Sequence, residues 1–144
     1  MLRTNLIRLM TVVVLLAGIA TSGAFAAADN SITIGPSTVP VSPKYRFAIN
    51  VTCGPSAAAT ACNGLLSIQT FAIKPYRSIA RKKWNVGALA FSVPAGKTAP
   101  VGHWLRAGAL VQAKRTGSVR VLVTIMRDGT AVGTRVLTLT LKRR

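Results

Sequence analysis

Acidic side chains are almost missing from this chain. In 144 residues there is no glutamate, and Asp29 and Asp128 make up the whole acidic complement. That shortage excludes the paired carboxylates of ordinary glycoside hydrolysis and the clustered oxygen ligands of a calcium or magnesium site. Histidine is as scarce, with His103 alone. A Ser-His-Asp set would need His103 beside Asp128 and a serine on a strained elbow, and no G-x-S-x-G occurs. A lone histidine in an alternating segment next to Trp104 reads as a packed or surface side chain rather than a base. Two cysteines, Cys53 and Cys62, are too few for a four-ligand zinc site and too far apart for a C-x-x-C redox pair. No lysine is singled out as a nucleophile. The expectation is a protein that is not an enzyme and that uses no cofactor and no metal.

Long apolar runs are also lacking, with one exception. Leu9 to Ala20 is apolar apart from Thr11 and Gly18, it follows Arg3 and Arg8, and it leads to Ala24-Phe25-Ala26. A positive start, a short apolar stretch and a small-x-small site form the pattern of a secretory signal peptide helix over residues 1–26. Ala26 and Ala28 offer a second cleavage site. The run is shorter than the ~20 apolar residues of a spanning helix, so no stable membrane span is expected after cleavage. The alternative, an uncleaved anchor, has to count Thr21-Ser22-Gly23 as lipid-facing. No cysteine sits near the junction to carry a lipid. The product is expected to be secreted or cell wall-associated.

What the chain does have is positive charge. It carries 19 Lys and Arg and a formal net charge of +17. Loss of Arg3 and Arg8 with the leader leaves 17 basic residues against the two acids. Such a field draws polyanions and speeds their encounter with little demand on geometry, so an alternative expectation is a cationic effector that engages anionic wall polymers, anionic lipid or nucleic acid. An arginine-rich composition serving solubility is the competing reading. In an exported chain Cys53 and Cys62 are expected to pair, and closing so short a loop stabilises by roughly 2–3 kcal/mol on the chain-entropy view.

Residues 27–43 hold three prolines, Pro36, Pro40 and Pro43, among serines. They read as a flexible, extended lead-in with a short edge strand near Ser31 to Ile34. From Lys44 the apolar period is two. Tyr45, Phe47, Ile49, Val51 and Cys53 share one face, opposite Lys44, Arg46, Asn50 and Thr52. Asn50-Val51-Thr52 matches an N-glycosylation pattern but reads as strand. Leu66 and Ile68 continue in phase with Cys62, so the disulfide is expected to tie the ends of two consecutive strands. A further strand covers Val86 to Val93, and Val101, His103 and Leu105 alternate after a turn at Pro94 to Lys97. Arg106 to Arg115 predicts one or two helical turns ended by Gly117. Val119, Val121, Val123 and Ile125 alternate up to Asp128-Gly129, a hairpin pair whose central residues need positive φ. Leu137, Leu139 and Leu141 mark the return. Seven or so short strands in about 100 residues suggest an all-β, two-sheet sandwich.

Residues 44–144 are expected to form this one domain. Within it, Cys53 and Cys62 framing a short loop and the Gly64-Leu65-Leu66-Ser67-Ile68 segment carry a resemblance. So do Gly87 to Thr98 and the Thr/Val/Leu-rich strands around Asp128-Gly129. The domain resembles the immunoglobulin-like modules of secreted and surface proteins in high-GC Gram-positive bacteria. The resemblance implies an immunoglobulin-like β-sandwich, without catalytic residues, that acts at the cell exterior in binding, adhesion or a structural role.

One basic stretch stands out. Lys74, Arg77, Arg81, Lys82 and Lys83 are interleaved with Tyr76 and Trp84. Cations supply counterion release and exposed aromatics can stack, so Lys74, Arg77, Arg81, Lys82, Lys83 and Trp84 are the candidate polyanion-binding set. The alternative is that Tyr76 and Trp84 join the core while the charges cover a sheet edge. Expected partners are an anionic cell-wall polymer or another surface protein. No nucleic-acid module signature occurs, and nucleic acid is not the expected target of a secreted protein. The Lys142-Arg143-Arg144 tail reads as a solvated end.

Overall fold

Alternation of apolar and polar residues along each segment is what builds the molecule. The structure, a computed structural model, describes residues 32–55, 60–77 and 79–142. The expected signal peptide over residues 1–26, Asp29, and Arg143 and Arg144 lie outside the described residues. Among the described residues, eight strands and one helix follow in order: β1 (Ile32–Gly35), β2 (Thr38–Val41), β3 (Arg46–Cys53), β4 (Ala61–Thr70), β5 (Asn85–Pro94), β6 (Thr98–Trp104), α1 (Ala107–Thr116), β7 (Ser118–Arg127) and β8 (Thr130–Leu141).

The strands form two sheets, a three-stranded one in the order β1-β3-β6 and a five-stranded one in the order β2-β8-β7-β4-β5. All neighbours run antiparallel except β2, which lies parallel to β8. The described residues are all-β with one short helix, as their patterning predicts. Period-two faces meet in one core: Ile49, Val51, Leu66, Ile68, Val121, Val123, Leu137 and Leu139 are fully buried. Burying such a side chain contributes about 1.5–3 kcal/mol, and these faces hold the sheets together.

Two details tie the sheets. Cys53 ends β3 in one sheet and Cys62 opens β4 in the other, and the two are disulfide-bonded with Cα atoms 5.7 Å apart. The expected link between consecutive strands is therefore also a link between sheets. His103 on β6 donates from Nε2 to the Val86 carbonyl on β5 at 3.0 Å and meets Phe47 edge-on, which makes it a packing residue.

Within the lead-in expected over residues 27–43, the edge strand read near Ser31 to Ile34 is β1, while β2 corrects the expectation of a flexible segment after it. β1 pairs with β3 and β2 pairs with β8, so this segment supplies an edge strand to each sheet. Val39 and Val41 point inward while Thr38 and Pro40 are exposed. Proline is tolerated there because an edge strand leaves one side of its backbone without a ladder. The hairpin turn is as its residues require, with φ of 51° at Asp128 and 76° at Gly129. Helix α1 stops at Gly117, whose φ is 85° and whose N–H bonds the Ala113 carbonyl.

Candidate functional site

Strand direction brings several sequence-distant segments to one end of the molecule. β4 finishes and β5 starts there, β2 finishes and β3 starts there, and β6 runs into α1 and β7. Helix α1 closes this end: Ala109 and Ala113 are fully buried, as is Leu105 just before it. Gly108 lets the helix approach Trp84, since a β-carbon there would stand 2.3 Å from the indole.

The β4–β5 connection carries the basic stretch. Its base is fixed by Thr70, whose N–H reaches the Trp84 carbonyl at 2.9 Å and whose Oγ1 accepts the Trp84 N–H at 2.8 Å. Midway, Ile73 and Lys82 exchange backbone hydrogen bonds of 3.0 and 2.9 Å. The connection is thus a narrow, hairpin-like projection, which α1 also holds through Arg115 Nη1 on the Pro75 carbonyl at 3.4 Å. Lys74, Arg77, Arg81, Lys82 and Lys83 are all exposed on it. Trp84 is half-buried against the helix, with Lys82 Nζ 3.8 Å from its ring centroid. Tyr76 is 42% exposed. Of the two aromatics, then, Trp84 packs and Tyr76 faces solvent.

The sequence reading missed what surrounds this projection. Lys44 and Arg46 stand at the start of β3, Arg106, Lys114 and Arg115 on and before α1, Arg120 early in β7, and Lys142 after β8. Three more cations lie over aromatic rings at this end: Arg46 over Trp104 at 4.9 Å, Lys114 over Tyr45 at 4.6 Å and Arg120 over Phe71 at 5.2 Å. Each such pair is worth about 0.5–1 kcal/mol at an exposed site. They hold flexible cations in place over the surface. Phe71 and Trp104 remain more than a third exposed. The signal for this grouping was present in the direction of successive strands, which returns every second connection to the same end.

Among the described residues, the remaining basic groups are Lys97, Arg127 and Arg135, and Arg135 lies midway along β8 donating to the Ile34 carbonyl. The one described acid, Asp128, occupies the far hairpin turn. No carboxylate of the described residues therefore offsets the cations at the closed end. A groove of about 1160 Å³ opens among them, lined by Val41, Tyr45, Arg46, Lys114, Leu141 and Lys142 with others. Chemically, the arrangement concentrates positive potential, exposed π faces and a groove on one surface. No group of three or more His, Cys, Asp or Glu among the described residues could hold a metal ion. His103 and Asp128 stand toward opposite ends of the body. No helix among the described residues is long and apolar enough to cross a membrane.

No protein-family model matches the chain, and no curated protein sequence matches it. Among solved structures, the alkylpurine DNA glycosylase AlkC of Pseudomonas fluorescens, bound to DNA containing an abasic site analog, is similar at 18% identity with a TM-score of 0.36. That likeness covers 80% of this chain and 31% of the glycosylase. The sporulation control protein Spo0M of Bacillus subtilis is similar at 11% identity with a TM-score of 0.35, over 79% of this chain and 49% of its own. This chain spans less than half the length of either structure. Likenesses this loose carry no argument about function.

Proposed function

We propose that this chain is an exported, non-catalytic, immunoglobulin-like β-sandwich module that works by binding an anionic polymer at the cell exterior through its cationic end. The observation that carries the reading is segregation of charge. Twelve of the described Lys and Arg gather at the end closed by α1, three lie elsewhere, and the single described acid is in the far turn. A composition serving only solubility has no reason to sort its charges this way, because scattered cations keep a protein dissolved equally well. Counterion release from a polyanion grows with the number of cations that meet it together, and only clustered cations meet one chain together. Exposed Tyr76, Phe71 and Trp104 add faces on which rings of a polymer can rest.

The immunoglobulin-like part of the reading is supported by strand order. A three-stranded and a five-stranded sheet share one core, and the first segment of the chain contributes an edge to each. The leader-like residues 1–26 and the disulfide support export. An anionic wall polymer fits a protein held outside the cell better than genomic nucleic acid does.

The test is a binding series with polyphosphate as the probe, run from low to high salt. The expected result is tight retention at low salt and a linear fall of log affinity against log salt. Absence of binding at low salt contradicts the proposal, and hydrolysis of the probe by pure protein contradicts its non-catalytic part.

A further inference from the structure

Strand register leaves a gap between the two sheets at the end closed by α1. β1 pairs with β3 over Asn50 to Cys53 and reaches no further, whereas β6 pairs with β3 from Arg46 to Thr52. The first half of β3, from Arg46 to Ile49, therefore has no described strand on its β1 side. The turn after β2 meets it there: the Ser42 N–H donates to the Arg46 carbonyl at 2.8 Å, and Ser42 Oγ accepts the Arg46 N–H at 3.1 Å. Backbone groups alternate sides along an antiparallel strand, so the N–H and carbonyl of Ala48 point the same way as those of Arg46. No described strand pairs with them on that side. The groove of about 1160 Å³ opens at this gap, with Ser42, Arg46 and Ala48 among its lining.

Its walls are of two kinds. The floor is made of core side chains: Val41 and Phe47 are buried, and Tyr45 and Leu141 are half-buried beside them. The rim is cationic. Arg46, Lys114 and Lys142 line the groove and are exposed, and Lys114 Nζ lies 4.6 Å from the centroid of the Tyr45 ring. The negative end of the α1 dipole also borders the groove, but it amounts to only about half a charge. Its last carbonyls are occupied, Gln112 by the Thr116 hydroxyl and Ala113 by the Gly117 N–H. The one described acid, Asp128, is in the far turn. Net potential in the groove is positive.

We infer that this groove is a ligand site for a single-chain anionic amphiphile. The alkyl chain lies against Val41, Phe47 and Leu141, and the anionic head meets Lys114, Lys142 and Arg46. A polyanion gains from the rim but nothing from the floor, and an uncharged chain gains from the floor but nothing from the rim. A molecule with both parts uses both. The Ala48 N–H adds a neutral donor beside Arg46. Small-molecule sites reach volumes of about 1,000 Å³, so the groove has room for one such ligand. The inference stands apart from the polymer reading, because polyphosphate has no chain to fill the groove and an amphiphile does not need the β4–β5 projection.

The test is calorimetry with dodecyl phosphate as the probe, kept below its micelle concentration, in about 50 mM salt. One molecule is expected to bind per protein. Octyl phosphate, with a chain four methylenes shorter, is expected to bind roughly a hundredfold more weakly, since each buried methylene is worth about three- to fourfold in affinity. Glycerol phosphate, a head without a chain, is expected to show no measurable binding. Dodecyl maltoside, a chain without charge, is expected to bind about tenfold or more below dodecyl phosphate. Lys114→Gln with Lys142→Gln is expected to weaken dodecyl phosphate about tenfold with an unchanged far-UV spectrum, while the charge-matched Lys97→Gln with Arg127→Gln leaves it nearly unchanged. The chain-length series on the wild type needs no variant to fold. No binding of dodecyl phosphate, affinity independent of chain length, uptake of many molecules per protein, or equal losses in the two folded double variants overturns the inference. Each of these results leaves polyphosphate binding to be judged by its own series.

Discussion

At the scale of single residues, the contact between Gly108 and Trp84 decides how the cationic end is closed. A β-carbon at position 108 would meet the indole at 2.3–2.6 Å, too near for any ordinary contact. Alanine is the better helix former by about 1 kcal/mol, so helix propensity alone favours the change. Overpacking costs roughly 1–3 kcal/mol and is expected to win. Gly108→Ala should therefore lower the midpoint of urea unfolding, and an unchanged or raised midpoint would show that helix and projection are not packed as described. His103 illustrates the same point differently. It is the chain's single histidine, and its ring fills the space over Gly87, where a β-carbon would stand 2.5 Å from Nε2. Its ring bridges the two sheets through its bond to the Val86 carbonyl.

At the scale of elements, the β4–β5 projection depends on a buried threonine. Thr70 is 1% exposed and bonds the Trp84 backbone twice, once through its hydroxyl. Thr70→Val keeps the shape but strands the Trp84 N–H, at a cost of about 1–3 kcal/mol. The expected outcome is faster amide exchange across residues 71–84 with little change in β7 and β8. Uniform loosening of the whole molecule would mean that the projection is not a separately anchored element. Long strands with strict alternation were legible in the sequence: β3, β7 and β8, the Asp128-Gly129 turn and the helix before Gly117 all stand where their residues put them. β1 was legible as the short edge strand near Ser31 to Ile34, but β2 was not, because a four-residue edge strand among prolines gives too few alternations to outweigh loop-forming composition. Only the exposed side of Pro40, visible once β8 lies beside β2, explains why that proline is compatible with a strand. The projection was legible as a basic run, but its anchoring was not, since the Thr70–Trp84 and Ile73–Lys82 contacts depend on how far apart β4 and β5 begin and end.

At the scale of the whole molecule, charge is arranged in zones. One end is cationic, β4 and β5 themselves carry no charged side chain, and the lone described acid is in the hairpin turn at the end opposite the helix. The candidate residues Lys74 to Trp84 mark one part of the cationic zone. Its other members come from four more places in the chain, which no local pattern could connect. This zoning predicts that position matters more than total charge. Affinity for polyphosphate across a salt series therefore tests the account most directly when two charge-matched variants are compared, Lys82→Gln with Lys83→Gln against Lys97→Gln with Arg127→Gln. Loss at the cationic end is predicted to weaken binding and to reduce the slope of log affinity against log salt by roughly 1–2, while the same loss at the far end leaves the slope nearly unchanged. Equal losses in both variants would show that the protein meets polyanions through its overall charge, and the account of a cationic end as the binding surface would be wrong.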